Sequence, residues 1–264
     1  MMSSVTTESP RGWGLRVSNL ARLMAIIAAL IALGAMAAAW LGIAEPLQGF
    51  LWFRTGVFVA AGALFVSLLA LCIHAIKKSA SMGRIGLAWL LAAPIVAYAA
   101  FFISQAQKVP ALHDITTDLA NPPQFTAIKL RGDLNQIVPD GGRADLKALT
   151  PAQRRARLHA EAYPDLQPIM VPMTIPQTVE RITAQARARG WEVVLVDPSR
   201  GRVEATETVS VFRFKDDIVF RVVPDPADDR RSMVDARSVS RVGISDVGVN
   251  ARRIRTAFDE LTAN

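Results

Sequence analysis

Residues 23–43 read LMAIIAALIALGAMAAAWLGI and contain no Asp, Glu, Lys or Arg. Two further runs of this kind follow at residues 56–76 and 85–103. An α-helix needs about 20 apolar residues to cross a hydrocarbon core of roughly 30 Å. The pattern therefore predicts a three-helix transmembrane anchor over residues 23–104, preceded by a tail of residues 1–22 and followed by one polar domain, residues 105–264.

Positive charges beside the three runs predict their orientation. Three arginines precede the first run, and three basic residues fill the loop after the second run. They are Arg11, Arg16 and Arg22, and Lys77, Lys78 and Arg84. The loop after the first run has only Arg54, together with Glu45. Basic loops stay in the cytoplasm. We therefore expect a cytoplasmic amino-terminal tail and an extracytoplasmic domain. A cleavable signal peptide ending in the Ala-rich residues 35–39 is the competing interpretation, although two more runs follow it.

The small, Ala- and Arg-rich chain is typical of a bacterial protein, which places the prediction in the inner membrane with a periplasmic domain. Its formal net charge is +7, of which residues 1–104 contribute +5 and residues 105–264 only +2. Because the basic excess lies beside the spans, no nucleic-acid partner is expected. Cys72, in the second run, is the one cysteine, so the polar domain has no thiol chemistry.

Small residues on the first span form a surface for close helix packing: Ala25, Ala28, Ala29, Ala32 and Ala35. Pro94 predicts a kink in the third span. His74 is the one ionisable residue inside a span, and its place near the basic end favours interfacial anchoring over a proton path. No run contains an acidic residue, which argues against a pump.

The polar domain begins with a segment typical of an extended linker, residues 105–123, and a polar helix is predicted over residues 144–162. A strand at 169–175 and a helix from Pro176 to Gly190 follow. Then come strands at 191–197, 202–210, 211–214 leading into 218–223, and 233–241, and a last helix at 247–261. This order predicts an α+β domain, an antiparallel sheet with two packing helices. A helix-grip arrangement is the nearest fold analogy.

Several short motifs carry a family resemblance. They are HDITTD at 113–118, NPPQF at 121–125, YPD at 163–165, GW at 190–191, FKDD at 214–217 and, most specific, RSVSRVGISDVGVN at 237–250. Together they resemble the bacterial family catalogued as domain of unknown function 1499, over residues of about 111–262. The resemblance implies a domain boundary and an envelope setting, and it implies no activity, cofactor or catalytic residue.

The last motif contains the candidate binding residues, which are Arg237, Ser238, Ser240, Arg241, Asp246 and Asn250. Alternation puts Asp235, Arg237, Val239 and Arg241 on one face of the strand and Val234, Ala236, Ser238 and Ser240 on the other. One interpretation is a site for an anion or polar headgroup, built from Arg237, Arg241 and the amino end of the last helix. The favoured alternative is structural: cross-strand ion pairs with Asp216, Asp217 and Arg221, a helix cap from Ser245 or Asp246, and glycine turns.

An enzyme would have to recruit His113 with Asp114, Asp118 or a strand carboxylate. No HExxH motif or Gly-x-Ser-x-Gly elbow supports one, and His159 is expected on a solvated helix face. We therefore expect no metal, cofactor or catalysis. The predicted function is an integral inner-membrane protein displaying a non-catalytic binding or assembly domain in the cell envelope. Its expected partners are membrane lipids and, beyond them, envelope proteins or an anionic or polar ligand; the alternative is an envelope hydrolase or metal-dependent enzyme centred on His113.

Overall fold

A computed structural model describes residues 10–134, 136 and 138–263, so the first nine residues of the predicted cytoplasmic tail lie outside the described residues. The chain divides into two compact units, residues 1–104 and 105–264. Three long apolar helices form the first unit, and an antiparallel sheet domain forms the second. This confirms the coarse fold prediction.

The helices of the first unit are α1 (Pro10–Trp40), α2 (Pro46–Lys77) and α3 (Met82–Ala106). Each is long and apolar enough to cross a membrane. Helix α1 begins well before the apolar run at residue 23, and Pro10 occupies its first position, where a missing N–H costs no helical hydrogen bond. Pro94 lies inside α3, which continues past it.

Small residues, mostly alanine and glycine, form the contact between α1 and α2. The buried positions alternate spacings of three and four residues, as in a coiled-coil seam: Ala21, Ala25, Ala28, Ala32, Ala35 and Ala39 in α1, and Gly49, Phe53, Gly56, Ala60, Ala63, Ser67 and Ala70 in α2. A Cβ at Gly56 would lie 3.1 Å from the backbone nitrogen of Ala32. The backbones therefore approach closely, and the predicted small-residue surface is confirmed, with Ala29 only half-buried.

In its described residues, the second unit has one six-stranded antiparallel sheet and four helices. Its elements are β1 (Asp114–Thr116), α4 (Ala144–Lys147), α5 (Pro151–Ala162), β2 (Ile169–Val171), α6 (Ile175–Ala188), β3 (Glu192–Asp197), β4 (Arg202–Val209), β5 (Phe214–Asp225), β6 (Asp228–Ser240) and α7 (Val249–Thr262). The strand order is β1-β6-β5-β4-β3, and β2 also pairs with β6. Strand β1 lies opposite residues 237–239 and β2 opposite residues 232–234, so both extend the same edge.

Alternation along the strands places apolar side chains on one face, which we call the inner face. Helices α6 and α7 cover it and complete one core. Its buried members include Val203, Ala205, Ile218, Phe220, Val222, Val234 and Ala236 from the sheet, and Val179, Ile182, Ile254, Phe258 and Leu261 from the helices. These two helices are the ones that the periodicity predicts.

Several details differ from the predictions. The strand expected at 169–175 is shorter, because Thr174 and Gln177 form a capping box that starts α6 at Ile175. The strand run expected from residue 211 begins only at Phe214, after a turn.

The helix expected over residues 144–162 is divided, because Thr150 and Gln153 form a capping box that starts α5 with Pro151 at its first position. The segment expected to be a linker contains β1, which is paired with β6 inside the domain. A strand of three residues is too short to show periodicity in the sequence.

Candidate functional site

The face of the sheet opposite the inner core, here called the outer face, is lined by charged side chains. Residues 117–134, which we call the strap, form an irregular segment that lies against this face. Its contacts reach β4, β5 and β6: Arg202 donates to the carbonyl of Gln124, Arg221 bonds Asp118, and Arg237 donates to the carbonyl of Pro123.

Glu204 is the central anchor of the strap. It is fully buried on β4, and its carboxylate accepts hydrogen bonds from the backbone nitrogens of Thr126, Ala127 and Ile128 at 2.6, 3.0 and 2.9 Å. The Thr126 hydroxyl donates a fourth bond at 2.7 Å. Residues 126–128 belong to no helix or strand, so Glu204 supplies the acceptors that their backbone N–H groups would otherwise lack.

Arg237 is buried and holds Asp114 of β1 through two bonds of 2.9 and 2.8 Å. Arg155 of α5 donates to the same carboxylate. A buried bidentate pair of this kind is geometrically specific. The two arginines therefore connect the edge strand β1 to β6 on one side and to α5 on the other.

Two further pairs cross from β5 to β6. Arg241 bonds Asp217 at 2.8 Å and the Thr206 hydroxyl at 3.1 Å, and Arg221 bonds Asp235 at 2.8 Å. The predicted cross-strand ion-pair lattice is thus present on the outer face. Asp216 is not part of it, because alternation turns its side chain toward α7.

On the inner face, the polar end of β6 bonds the start of α7. The Ser238 hydroxyl donates to Asn250 at 2.8 Å, and the Asn250 amide donates to the Ser240 hydroxyl at 3.0 Å. Arg253, which is buried, bonds Asp216 at 2.7 Å, Ser238 at 2.8 Å and Glu207 at 2.5 Å. The candidate set omits three members of this cluster, Arg253, Asp216 and Glu207.

Asp246 occupies the corner between β6 and α7. Its carboxylate accepts from the backbone nitrogens of Gly248 at 2.8 Å and Asn250 at 2.7 Å. The N-cap residue of α7 is Gly248, so the prediction of Ser245 or Asp246 at that position is wrong, although Asp246 satisfies one N–H of the first turn from two residues earlier. Burial raises the pKa of Asp246 above its ordinary value. Val247 and Gly248 both have positive φ, 54° and 76°, and a β-branched residue with such a φ is held there only by its surroundings.

The structure therefore brings the six candidate residues together as three neighbouring groups. Arg237 and Arg241 lie on the outer face; Ser238, Ser240 and Asn250 lie on the inner face; Asp246 bonds the first turn of α7 between them. Each already bonds another protein group, as in the structural alternative. That they bind a ligand stays a prediction.

His113 is enclosed directly before β1. It is 1% exposed, and neither ring nitrogen has a hydrogen-bond partner among the described residues. Burial lowers the pKa of His113, and the charge of Arg131 lowers it further. No group of three His, Cys, Asp or Glu side chains in the described part of the chain is placed to hold a metal ion.

A cavity of about 520 Å³ lies beside β1, between the start of the strap and α5. Mostly apolar side chains line it: Leu119, Ala120, Ala160, Tyr163, Pro164, Leu166 and Pro168, together with Thr117, Asp118, His159 and Gln167. Burial raises the pKa of Tyr163 to about 12. The cavity contains none of the six candidate residues.

His159 is buried, at 2% exposure, which corrects the expectation of a solvated helix face. Its Nε2 atom accepts a hydrogen bond from the backbone nitrogen of Thr116 at 3.2 Å, and burial lowers its pKa. The overlooked signal is the spacing of Arg155, Leu158, His159 and Ala162, which lie on one face of a helix. Composition hid it, because α5 is otherwise polar.

A family model described as "Protein of unknown function (DUF1499)" matches residues 114–261. The match covers more than half of the 264 residues, so the chain belongs to this family, and the resemblance is confirmed. No curated protein and no solved structure matches the chain.

Proposed function

We propose that this DUF1499 protein is an integral inner-membrane protein that displays its α+β domain outside the cytoplasm as a non-catalytic binding module. The cavity beside β1 is the proposed binding site. Its proposed ligand is uncharged and largely apolar, which narrows the partners expected from the sequence to lipids or an apolar segment of an envelope protein.

The three apolar helices support membrane insertion, since each is long enough to span the bilayer. Their flanking charges support the orientation. Lys77 and Lys78 end α2 and Arg84 begins α3, whereas the loop between α1 and α2 contains Glu45 as its one charged residue. With three spans, a cytoplasmic second loop puts residues 105–264 on the opposite side.

The cavity is the observation that carries the binding proposal. Its volume lies within the range of small-molecule sites, roughly 300–1,000 Å³, which are mostly apolar with a few polar groups. Asp118 is the charged side chain of its lining, and it is already bonded to Arg221 and to the backbone nitrogens of Ala120 and Asn121. A charged ligand would therefore find no counter-charge available there.

The competing function, a hydrolase or metal-dependent enzyme centred on His113, gains no supporting contact. Catalysis needs the base within hydrogen-bond reach of a substrate. The His113 ring is enclosed, and the adjacent carboxylates are bonded to arginines, Asp114 to Arg237 and Asp133 to Arg131. The cavity, by contrast, is open to solvent.

Topology can be tested with alkaline phosphatase, which is active only after export. A fusion after Asn264 should be active and a fusion at Ser81 inactive. The reverse pattern of activities would contradict the proposed orientation.

Ligand binding can be tested in cells with a photo-crosslinking amino acid in place of Leu119, which is exposed at the cavity. Irradiation should yield an adduct that Ala160→Trp abolishes, because an indole at this exposed position blocks the cavity. Ala184→Trp is the matched control, since Ala184 is also an exposed helical alanine but lines a separate groove between α6 and α7. An adduct that persists with Ala160→Trp would mean that the cavity is not the site.

A further inference from the structure

Strand β1 is held between the two histidines of the domain, His113 before it and His159 beside it. On one side, β1 pairs with β6. On the other side no strand of the described residues pairs with it, and the Thr116 N–H donates to the Nε2 atom of His159 instead. Strand β1 also leads directly into the strap, so its position decides where the strap begins.

The bond to Thr116 fixes the protonation state of His159. Because Nε2 accepts a hydrogen, it carries none, and the neutral ring must carry its proton on Nδ1. Protonation would place an N–H at Nε2 against the N–H of Thr116 and remove the bond. The titratable groups that face the ring are Asp114, Arg155, Tyr163 and Asp165. Asp114 and Asp165 are already bonded to arginines, Asp114 to Arg155 and Arg237 and Asp165 to Arg255.

His113 is equally unsuited to a positive charge. Its ring is enclosed, and neither nitrogen makes a hydrogen bond of normal geometry with a residue that the structure describes. Burial and the charge of Arg131 oppose the charged form and lower the pKa of His113. The Ile244 backbone, Asp114 and Asp133 face the ring and favour that form, but they do not outweigh the burial. Arg131 belongs to the strap, bonds Asp133, and donates to the carbonyl of Gly243 at 2.7 Å. An imidazolium at His113 would repel Arg131, which connects the strap to the corner before α7.

We propose that β1 and the strap form an acid-sensitive latch, in which protonation of His113 and His159 releases residues 114–134 from the sheet. Residues 117–120 of the strap line the cavity, so release of the latch also removes this part of the cavity wall. The role of the latch in discharging a ligand rests on the proposed function, but the release itself does not.

The direction and size of the effect follow from proton linkage. Burial lowers the pKa of both histidines below the ordinary value of 6.5, so the released segment binds protons more readily than the latched one. The latch is therefore intact above about pH 6.5 and weakens as the pH falls below that value. Each histidine contributes at most about a tenfold change in the latching equilibrium per pH unit, and both together at most about a hundredfold. Ordinary carboxylates titrate near pH 4. Burial raises the pKa of Asp246, whose N–H donates to the carbonyl of Leu112 beside β1, so variants of the histidines are needed to separate their effect from that of Asp246.

The test is hydrogen exchange of the full chain in detergent micelles at pH 7.5 and 5.5, expressed as protection factors that remove the intrinsic pH dependence. Protection of residues 114–134 should fall at least tenfold at pH 5.5, while protection of β4 stays within a factor of about three. His159→Gln keeps an acceptor for the Thr116 N–H without titrating, and His113→Leu fills the enclosed space without charge. The double variant should lose the selective fall, and each single variant should reduce it. His74→Gln is the control, since His74 lies in α2 and should leave the fall unchanged.

A fall of protection that is uniform over the domain would overturn the latch, as would a selective fall that survives in the double variant. If His113 and His159 were only structural, their variants would lose protection equally at both pH values. This result would also overturn the latch. Protection of β4 in the same molecules reports whether a variant has folded. If the double variant does not fold, the single variants decide. Failure of the crosslinking test at Leu119 would leave this result unaffected, so the two proposals fail separately.

Discussion

The two faces of the sheet are covered by different kinds of structure, and their side chains differ accordingly. Helices α6 and α7 cover the inner face and bring backbone groups that are already hydrogen-bonded, so apolar side chains such as Phe220 and Ile254 suffice over most of it. The exception is the polar cluster around Arg253, where β6 ends beside α7. The strap covers the outer face without secondary structure, and its N–H and C=O groups need partners. Buried charges in the sheet supply these partners, above all Glu204 and Arg237.

Substitutions on the two faces should change the unfolding free energy in different ways. Apolar contacts are numerous and individually small, so the cost of a truncation follows the volume removed. A paired buried charge adds little to the unfolding free energy. Removing it leaves its partners buried without a counter-charge or acceptor, which costs several kcal/mol. The inner face should therefore respond in proportion to size, and the outer face in proportion to the number of bonds broken.

The largest effect is expected on the inner face. Phe220→Ala removes the largest fully buried side chain there and should cost about 3–5 kcal/mol of the unfolding free energy. Urea unfolding of residues 105–264 measures it, because this segment contains the whole core and should unfold cooperatively. Val194→Ala, at an exposed site on edge strand β3, should cost less than about 0.5 kcal/mol. Equal costs would contradict a core on the inner face.

Glu204→Ala should be next, at roughly 3 kcal/mol. The change leaves three backbone N–H groups and one hydroxyl of the strap without their acceptor, and each unsatisfied buried group costs about 1–3 kcal/mol unless water enters. The same unfolding assay applies. Glu192→Ala is the control, because the Glu192 carboxylate is exposed and its ion pair with Lys215, at 3.6 Å, contributes little to stability. A cost below about 1 kcal/mol would show that the strap does not depend on its anchor.

Asp246→Ala tests the corner that joins the faces, with an expected cost of about 1–2 kcal/mol. Its carboxylate accepts two backbone N–H groups at the start of α7, and helix caps are worth about 1 kcal/mol. Asp165→Ala removes an exposed partner of Arg255 and should cost less than about 1 kcal/mol. Thermal melts of residues 105–264 compare the two variants. A higher melting temperature for Asp246→Ala would favour a binding role over a cap.

Local sequence patterns account for the spans and for the two faces. The apolar runs predict three helices because hydrocarbon thickness fixes their length, although they cannot predict that α1 begins at Pro10. Alternation along β6 assigns Asp235 and Arg237 to one face and Val234 and Ser238 to the other, as the structure confirms.

Long-range contacts account for what the patterns miss. Asp114 and Arg237 are 123 residues apart, and β1 is too short for periodicity, so the partner of Arg237 could not be assigned from the sequence. The strap has no repeating pattern, and the sheet fixes its course through Glu204. His159 is hidden by the polar composition of α5, although its position beside Leu158 is a usable signal of a buried face.

Arg241→Ala should have the smallest effect and bears most directly on the choice between a brace and a binding site at the corner. Arg241 is bonded to Asp217 like the other outer-face pairs, but its side chain is 41% exposed, so solvent replaces much of what is lost. As a brace it should cost up to about 1 kcal/mol, and the buried Arg237→Ala should cost about 3 kcal/mol or more. A binding site predicts the opposite trend, because binding residues are not optimised for stability, so removing either cation would leave the melting temperature unchanged or higher. Thermal melts of both arginine variants of residues 105–264 decide between them. Unchanged or raised stability in both would make the corner, rather than the cavity, the leading site for an anion or headgroup.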